Sequence, residues 1–179
     1  MMKKIVFAGF GGQGVLFAGK ALAYAGMDAK MQISWLPSYG PEMRGGTANC
    51  SVILSDEPIG SPLVLAPDVL IAMNKPSLEK FEQKVAPGGL IVLDSFLIDK
   101  KVSRSDVTAI YIPAKQMAEE AQCGKLGNMI MLGAMLQKTK LLSVETVKQS
   151  LAAHTPASRH ELLLRNQSML DMGCQFVCD

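Results

Sequence analysis

The stretch Gly9-Phe10-Gly11-Gly12-Gln13-Gly14 limits what this chain can fold into more than any other. It follows Lys3 to Ala8, a short β-branched and aromatic run that reads as a buried parallel strand. It precedes Val15 to Ala25, a helical pattern whose small residues Ala18, Gly19 and Ala21 allow close packing on a sheet. Gly26 reads as the C-terminal glycine that ends this helix. A strand, a glycine-rich turn and a helix in that order open an α/β domain.

The turn contains G-x-G-x-x-G, the dinucleotide fingerprint, in the required strand-to-helix context. Glycines let backbone N–H groups approach an anion, and a helix N-terminus carries about half a positive charge toward it. Gly11, Gly12, Gln13 and Gly14 are therefore candidate anion-binding residues. The fingerprint also needs an acid roughly 20 residues on, to hold the ribose. Here the second strand ends Ser34-Trp35-Leu36-Pro37, and no carboxylate follows until Glu42. A stand-alone NAD(P)-binding reductase lacks half its mechanism on this count. The overlapping Gly14-to-Ala21 segment resembles a Walker A motif, but Ala21 stands where a magnesium-binding hydroxyl is needed.

Further strands are expected at Met31 to Leu36, Thr47 to Leu54, Asp68 to Asn74, Leu90 to Asp94 and Val107 to Ile112. Thr47 to Leu54 alternates, with Ala48, Cys50, Val52 and Leu54 on one side, which suits an antiparallel strand near an edge. Helices are expected from Pro76 to about Val85, Ala114 to Gln122, Leu126 to Lys138, Val144 to Ala153 with Ser143 as cap, and Ser158 to Met172. The order predicts one domain over residues 1–179: a doubly wound, mostly parallel sheet with a Rossmann-like start, one antiparallel edge strand and a helical C-terminal region.

Between the second and third strands lies Tyr39-Gly40-Pro41-Glu42-Met43-Arg44-Gly45-Gly46. Proline and glycine restrict its path, and it carries Tyr39, Glu42 and Arg44. Two readings stand: a recognition loop on a rigid scaffold, or a loop stabilised by its own Glu42–Arg44 pair.

Composition narrows the function classes. Hydrophobic residues make up 49% and charged residues 19%, below the usual ~25%, which suggests apolar surface covered by a partner. The net charge is +2 without a basic run, so neither nucleic acid nor a membrane surface is an expected partner. The N-terminal apolar stretch is cut by the glycine turn, as a strand start and not a signal peptide would be, and a cytoplasmic protein is expected. The 4 cysteines show no C-x-x-C spacing, and Cys174 and Cys178 would share one helix face as ordinary thiols. There is no G-x-S-x-G elbow, no H-E-x-x-H and no paired carboxylates, so no catalytic and no metal-ligating residue is assigned.

The glycine turn together with Trp35 to Cys50 resembles the gamma subunit, or gamma domain, of 2-oxoacid:ferredoxin oxidoreductases. Ser55 to Pro62, Asn74 to Leu78 and Pro87-Gly88-Gly89 add to the match. The resemblance implies an accessory subunit of a complex that oxidatively decarboxylates a 2-oxoacid with coenzyme A, giving acyl-CoA, CO2 and reduced ferredoxin. It implies no cofactor on this chain, with thiamine diphosphate and Mg between the alpha and beta subunits and iron–sulfur clusters on the beta or delta subunits. The isolated chain would be inactive, and a homodimer is open to it. The wording of Tyr39 to Gly46 is closest to 2-oxoglutarate enzymes, with branched-chain 2-oxoacid and pyruvate types as alternatives. A small anion-binding module unrelated to redox chemistry is the remaining alternative.

Overall fold

The first β-strand, β1 (Met2–Phe10), runs through the middle of the molecule, with Ile5, Val6, Phe7 and Ala8 buried. The computed structural model describes residues 1–38 and 47–178. Among them, five further strands join β1: β2 (Gln32–Ser38), β3 (Thr47–Ser55), β4 (Val69–Ala72), β5 (Leu90–Asp94) and β6 (Thr108–Ile112). The sheet order is β2-β3-β1-β4-β5-β6. β1, β4, β5 and β6 are parallel, and β3 runs antiparallel to both β1 and β2. β3 thus lies beside the edge, with β2 outside it.

Residues on alternate sides of each strand build two separate cores. Ile5, Phe7, Cys50, Val52, Ile71 and Val92 face one core, while Val6, Ala8, Leu70, Ala72, Ile91 and Leu93 face the other. α1 (Val15–Asp28), α3 (Ala114–Glu120), α4 (Gly127–Thr139), α5 (Val144–His154) and α6 (His160–Cys178) contribute to the first. α2 (Lys75–Phe81) and Ile98, in the long β5–β6 connection, contribute to the second. The sheet is covered on both faces, as a doubly wound fold requires.

α4 is apolar on every side, and Met129 to Leu136 are all buried between the sheet and α6. Its approach to α6 is backbone to backbone. A Cβ on Gly133 would collide with the Leu170 carbonyl oxygen, and one on Gly173 with the Ile130 carbonyl oxygen. Ser143 caps α5 as expected, its hydroxyl accepting the Thr146 N–H at 3.0 Å.

Several boundaries differ from expectation. Among them, the helix expected from Pro76 to about Val85 ends at Phe81 and tightens into a 3-10 turn over Glu82–Lys84. Two of the differences have a packing cause. Gly26 does not end α1; the helix continues to Asp28, and Lys30 takes the left-handed conformation instead. Gly26 is needed for packing, because a Cβ there would lie 2.5 Å from Ile33 Cδ1 and 2.7 Å from Leu54 Cδ2. α6 runs on to Cys178, six residues beyond the expected Met172, because Gly173 and Val177 still pack against α4 and the core.

Candidate functional site

Parallel strands leave a crevice outside their C-terminal ends, at the point where successive connections diverge to opposite sides. Here that point lies between β1, whose chain continues toward β2, and β4, whose chain continues toward β5. The glycine turn forms one wall. Gly14 precedes α1 in the left-handed region (φ 75°) and Gly12 is also left-handed (φ 89°), conformations that side chains with a Cβ rarely adopt.

Gln13 closes the crevice from within. Its Oε1 accepts the Phe10 N–H at 2.6 Å, and its Nε2 donates to the Met73 carbonyl at 2.9 Å. Asn128, at the start of α4, braces the turn from a third side by donating to the Gly14 carbonyl at 3.0 Å. Asn128 is only 4% exposed, and its Oδ1 has no hydrogen-bond partner. Beyond these residues opens a cleft of about 240 Å³, lined by Gly12, Gln13, Asp94, Lys115, Lys125 and Asn128 among others.

Asp94 terminates β5 and is 3% exposed. Its two oxygens accept the Phe96 N–H at 3.0 Å and the Lys115 N–H at 2.9 Å, tying the β5 loop to the start of α3. Burial pushes its carboxyl above the ordinary range despite those bonds. Lys115 Nζ is held by Glu119 at 2.7 Å and by the Gly124 carbonyl at 3.2 Å. The cleft therefore offers backbone N–H groups of a glycine turn, two lysines and a buried carboxamide. That set can receive an anionic group whose neighbours supply hydrogen-bond donors.

The sheet order explains the missing ribose acid. In a dinucleotide fold the strand beside β1 delivers that carboxylate. Here the neighbour is antiparallel β3, which begins beside the end of β1 with Thr47 paired to Phe10. Neither β2 nor β3 contains an acid. Lys20, of the Walker-like segment, lies on the outer side of α1 with its Nζ 5.3 Å from the Tyr24 ring centroid.

Of the expected site residues, Gly12 and Gln13 line the cleft, while Gly11 and Gly14 line a second groove on the outer side of the turn. Tyr39, Glu42 and Arg44 lie outside the described residues. Cys174 donates to the Gly133 carbonyl at 3.2 Å, and Cys178 accepts from Gln137 Nε2 at 2.6 Å, so both thiols meet α4. Among the described residues no group of three His, Cys, Asp or Glu is placed to hold a metal. No described helix is long and apolar enough to cross a membrane.

Met73, Asp94, Lys115, Lys125 and Asn128 were not anticipated from sequence. Asn128 carried a signal, as the polar residue at the head of the otherwise apolar segment Met129 to Leu136. Asp94 carried another, as the acid closing the apolar strand Leu90 to Leu93.

Comparison with known proteins gives concordant matches. Residues 4–176 match the family model "Pyruvate ferredoxin/flavodoxin oxidoreductase". "2-oxoglutarate synthase subunit KorC" of Methanocaldococcus jannaschii is 35% identical, over 90% of this chain and 88% of the relative. "Ketoisovalerate oxidoreductase subunit VorA" of Methanothermobacter thermautotrophicus is 38% identical over 97% of this chain, but the chain spans only 36% of that longer relative. The solved gamma subunit of a keto/oxoacid ferredoxin oxidoreductase from Geobacter sulfurreducens superposes with a TM-score of 0.83, at 27% identity and covering 98% of both chains.

Proposed function

Because the chain belongs to the pyruvate ferredoxin/flavodoxin oxidoreductase family, as a gamma-type member, we propose that it is the accessory subunit of a cytoplasmic complex that oxidises 2-oxoglutarate. The complex would convert the 2-oxoacid and coenzyme A to acyl-CoA and CO2 and pass electrons to ferredoxin. The observation that carries this reading is the family match over residues 4–176, nearly the whole chain. The 2-oxoglutarate assignment draws on the similarity to KorC and on the wording of Tyr39 to Gly46. The similarity to VorA favours a second reading, a branched-chain 2-oxoacid as substrate.

The described side chains fit a supporting role better than a catalytic one. They bring together no nucleophile with a base, and among the described residues no three His, Cys, Asp or Glu side chains are grouped to hold a metal. Cys50 is pushed up to about 12 by burial, and Cys174 to about 11 by burial and by Asp171. The family resemblance supports thiamine diphosphate and magnesium between alpha and beta partners, iron–sulfur clusters on beta or delta partners, and a chain that alone would be inactive. Gly11 to Gly14 would border the approach to the reaction site, with Gly12, Lys115 and Lys125 near a phosphate of coenzyme A. Tyr39, Glu42 and Arg44 are proposed to face the same partner.

The test is to reconstitute the complex and compare 2-oxoglutarate, ketoisovalerate and pyruvate as electron donors to ferredoxin, with wild-type, Gly12→Ala and Arg44→Ala chains. A preference for 2-oxoglutarate and a raised coenzyme A requirement in the variants are expected. A preference for ketoisovalerate would select the second reading. An unchanged coenzyme A requirement would remove the role given to the turn.

A further inference from the structure

Phe17 stands on a ridge of α1 between two hollows. On one side, a groove of about 390 Å³ follows the outer side of the glycine turn, lined by Phe10, Gly11, Gly12, Leu16 and Phe17 and, among the described residues, by no charged one. Phe10 and Phe17 keep 41% and 45% of their surface in solvent. Among the described residues, a Cβ on Gly11 or Gly12 would meet nothing within 4 Å.

On the other side of the ridge lies a hollow of about 280 Å³, whose lining includes Phe17, Lys20, Tyr24, His154 and Arg159. Tyr24 and His154 stack at 4.4 Å, and His154 lies 3.2 Å from Asp28, which fixes the floor. Among the described residues, Lys20 and Arg159 form no ion pair, as several other surface lysines do not, and Lys20 Nζ lies 5.3 Å from the Tyr24 ring centroid.

We infer that this ridge is the seat of a catalytic partner subunit, which lays an apolar side chain in the groove beside Phe17 and a carboxylate against Lys20 and Arg159. The inference rests on the assembly reading given above. Two observations select a polypeptide of that character. An apolar groove next to two cations is complementary to an apolar residue followed by an acid, and mismatched to a bare phosphate. In VorA the region similar to this chain is about a third of one polypeptide, so in that relative a large remainder is joined to it covalently. Exposed aromatic and arginine side chains are also the residue types that dominate interface energetics.

The test uses the assembled complex. A benzophenone-bearing phenylalanine is placed at Phe17 and, as a control at the opposite end of the sheet, at Lys138; Phe17→Asp and Lys20→Glu chains are purified in parallel. Position 17 should cross-link to a catalytic subunit and position 138 should not. Each charge variant should keep its helicity and recover roughly tenfold less partner or worse, the scale of losing an interface anchor. Wild-type partner recovery with both variants would overturn the proposal. So would a cross-link from position 17 to residues 39–46 of the same chain, or to a nucleotide. If the wild-type chain itself brings no thiamine-containing subunit, the assembly reading fails first, and that outcome is read from the wild type alone.

Discussion

Gln13 reaches across the switch point of the sheet and donates its side-chain N–H to the carbonyl of Met73 at 2.9 Å, while its oxygen accepts from Phe10 in the same turn. One side chain thereby fixes the glycine turn to the end of β4. Gln13→Glu keeps the acceptor for Phe10 but sets a carboxylate against the Met73 carbonyl. Loss of the part-buried bond should cost about 1–3 kcal/mol. Denaturant unfolding should show it as a lower midpoint with an unchanged slope.

Gly133 and Gly173 let α4 and α6 meet through their backbones. Alanine at either position drives a methyl group into a carbonyl oxygen that belongs to a helix and cannot yield cheaply. Gly173→Ala should cost roughly 3 kcal/mol, which for a domain of this size lowers the melting temperature by about 6–12 °C. Differential scanning calorimetry measures this directly. An unchanged melting temperature would mean that the helices separate freely.

Asp94 binds two backbone N–H groups from a buried position. Asp94→Ala leaves both without a partner and should cost roughly 1–3 kcal/mol. The pH dependence has a definite sign. Burial raises the folded carboxyl above its ordinary 3.8, so the folded state holds this proton more tightly than the unfolded chain does. Asp94 therefore contributes most below the unfolded value, and its contribution shrinks as pH rises from 3.8 through the raised value. The melting-temperature gap between wild type and Asp94→Ala should be wider near roughly pH 4 than near neutrality.

The thiols should react in a fixed order. Cys178 is exposed, whereas Cys50 is buried with its thiol pushed up to about 12. Iodoacetamide labelling followed by mass spectrometry should modify Cys178 early and Cys50 only on unfolding. Early labelling of Cys50 would show that α1 opens readily from β3.

Much of the fold could be read locally. Leu90 to Asp94 is the strand expected, and the alternation after Thr47 identifies β3 as antiparallel. The insertion of β3 between β2 and β1 could not be read, because strand order is decided by pairing between distant segments. Gly26 was misplaced for a related reason: a glycine that ends a helix and a glycine that lets a helix lie on Ile33 and Leu54 are the same letter. The glycine turn of the candidate site was visible as one contiguous motif. Its other walls come from Met73, Asp94, Lys115 and Asn128, on four separate elements or their ends, and only folding brings them to one cleft.

The central claim is that this chain works as the gamma-type subunit of a 2-oxoacid-oxidising assembly. The most direct measurement is to isolate the chain, tagged at its natural level, and assay the preparation for bound thiamine diphosphate, iron and coenzyme A-dependent reduction of ferredoxin by 2-oxoglutarate. The account predicts larger subunits carrying both cofactors, with activity that disappears when coenzyme A is withheld. A chain that purifies without those subunits, or a preparation that binds NADH and reduces nothing at the expense of a 2-oxoacid, would contradict it.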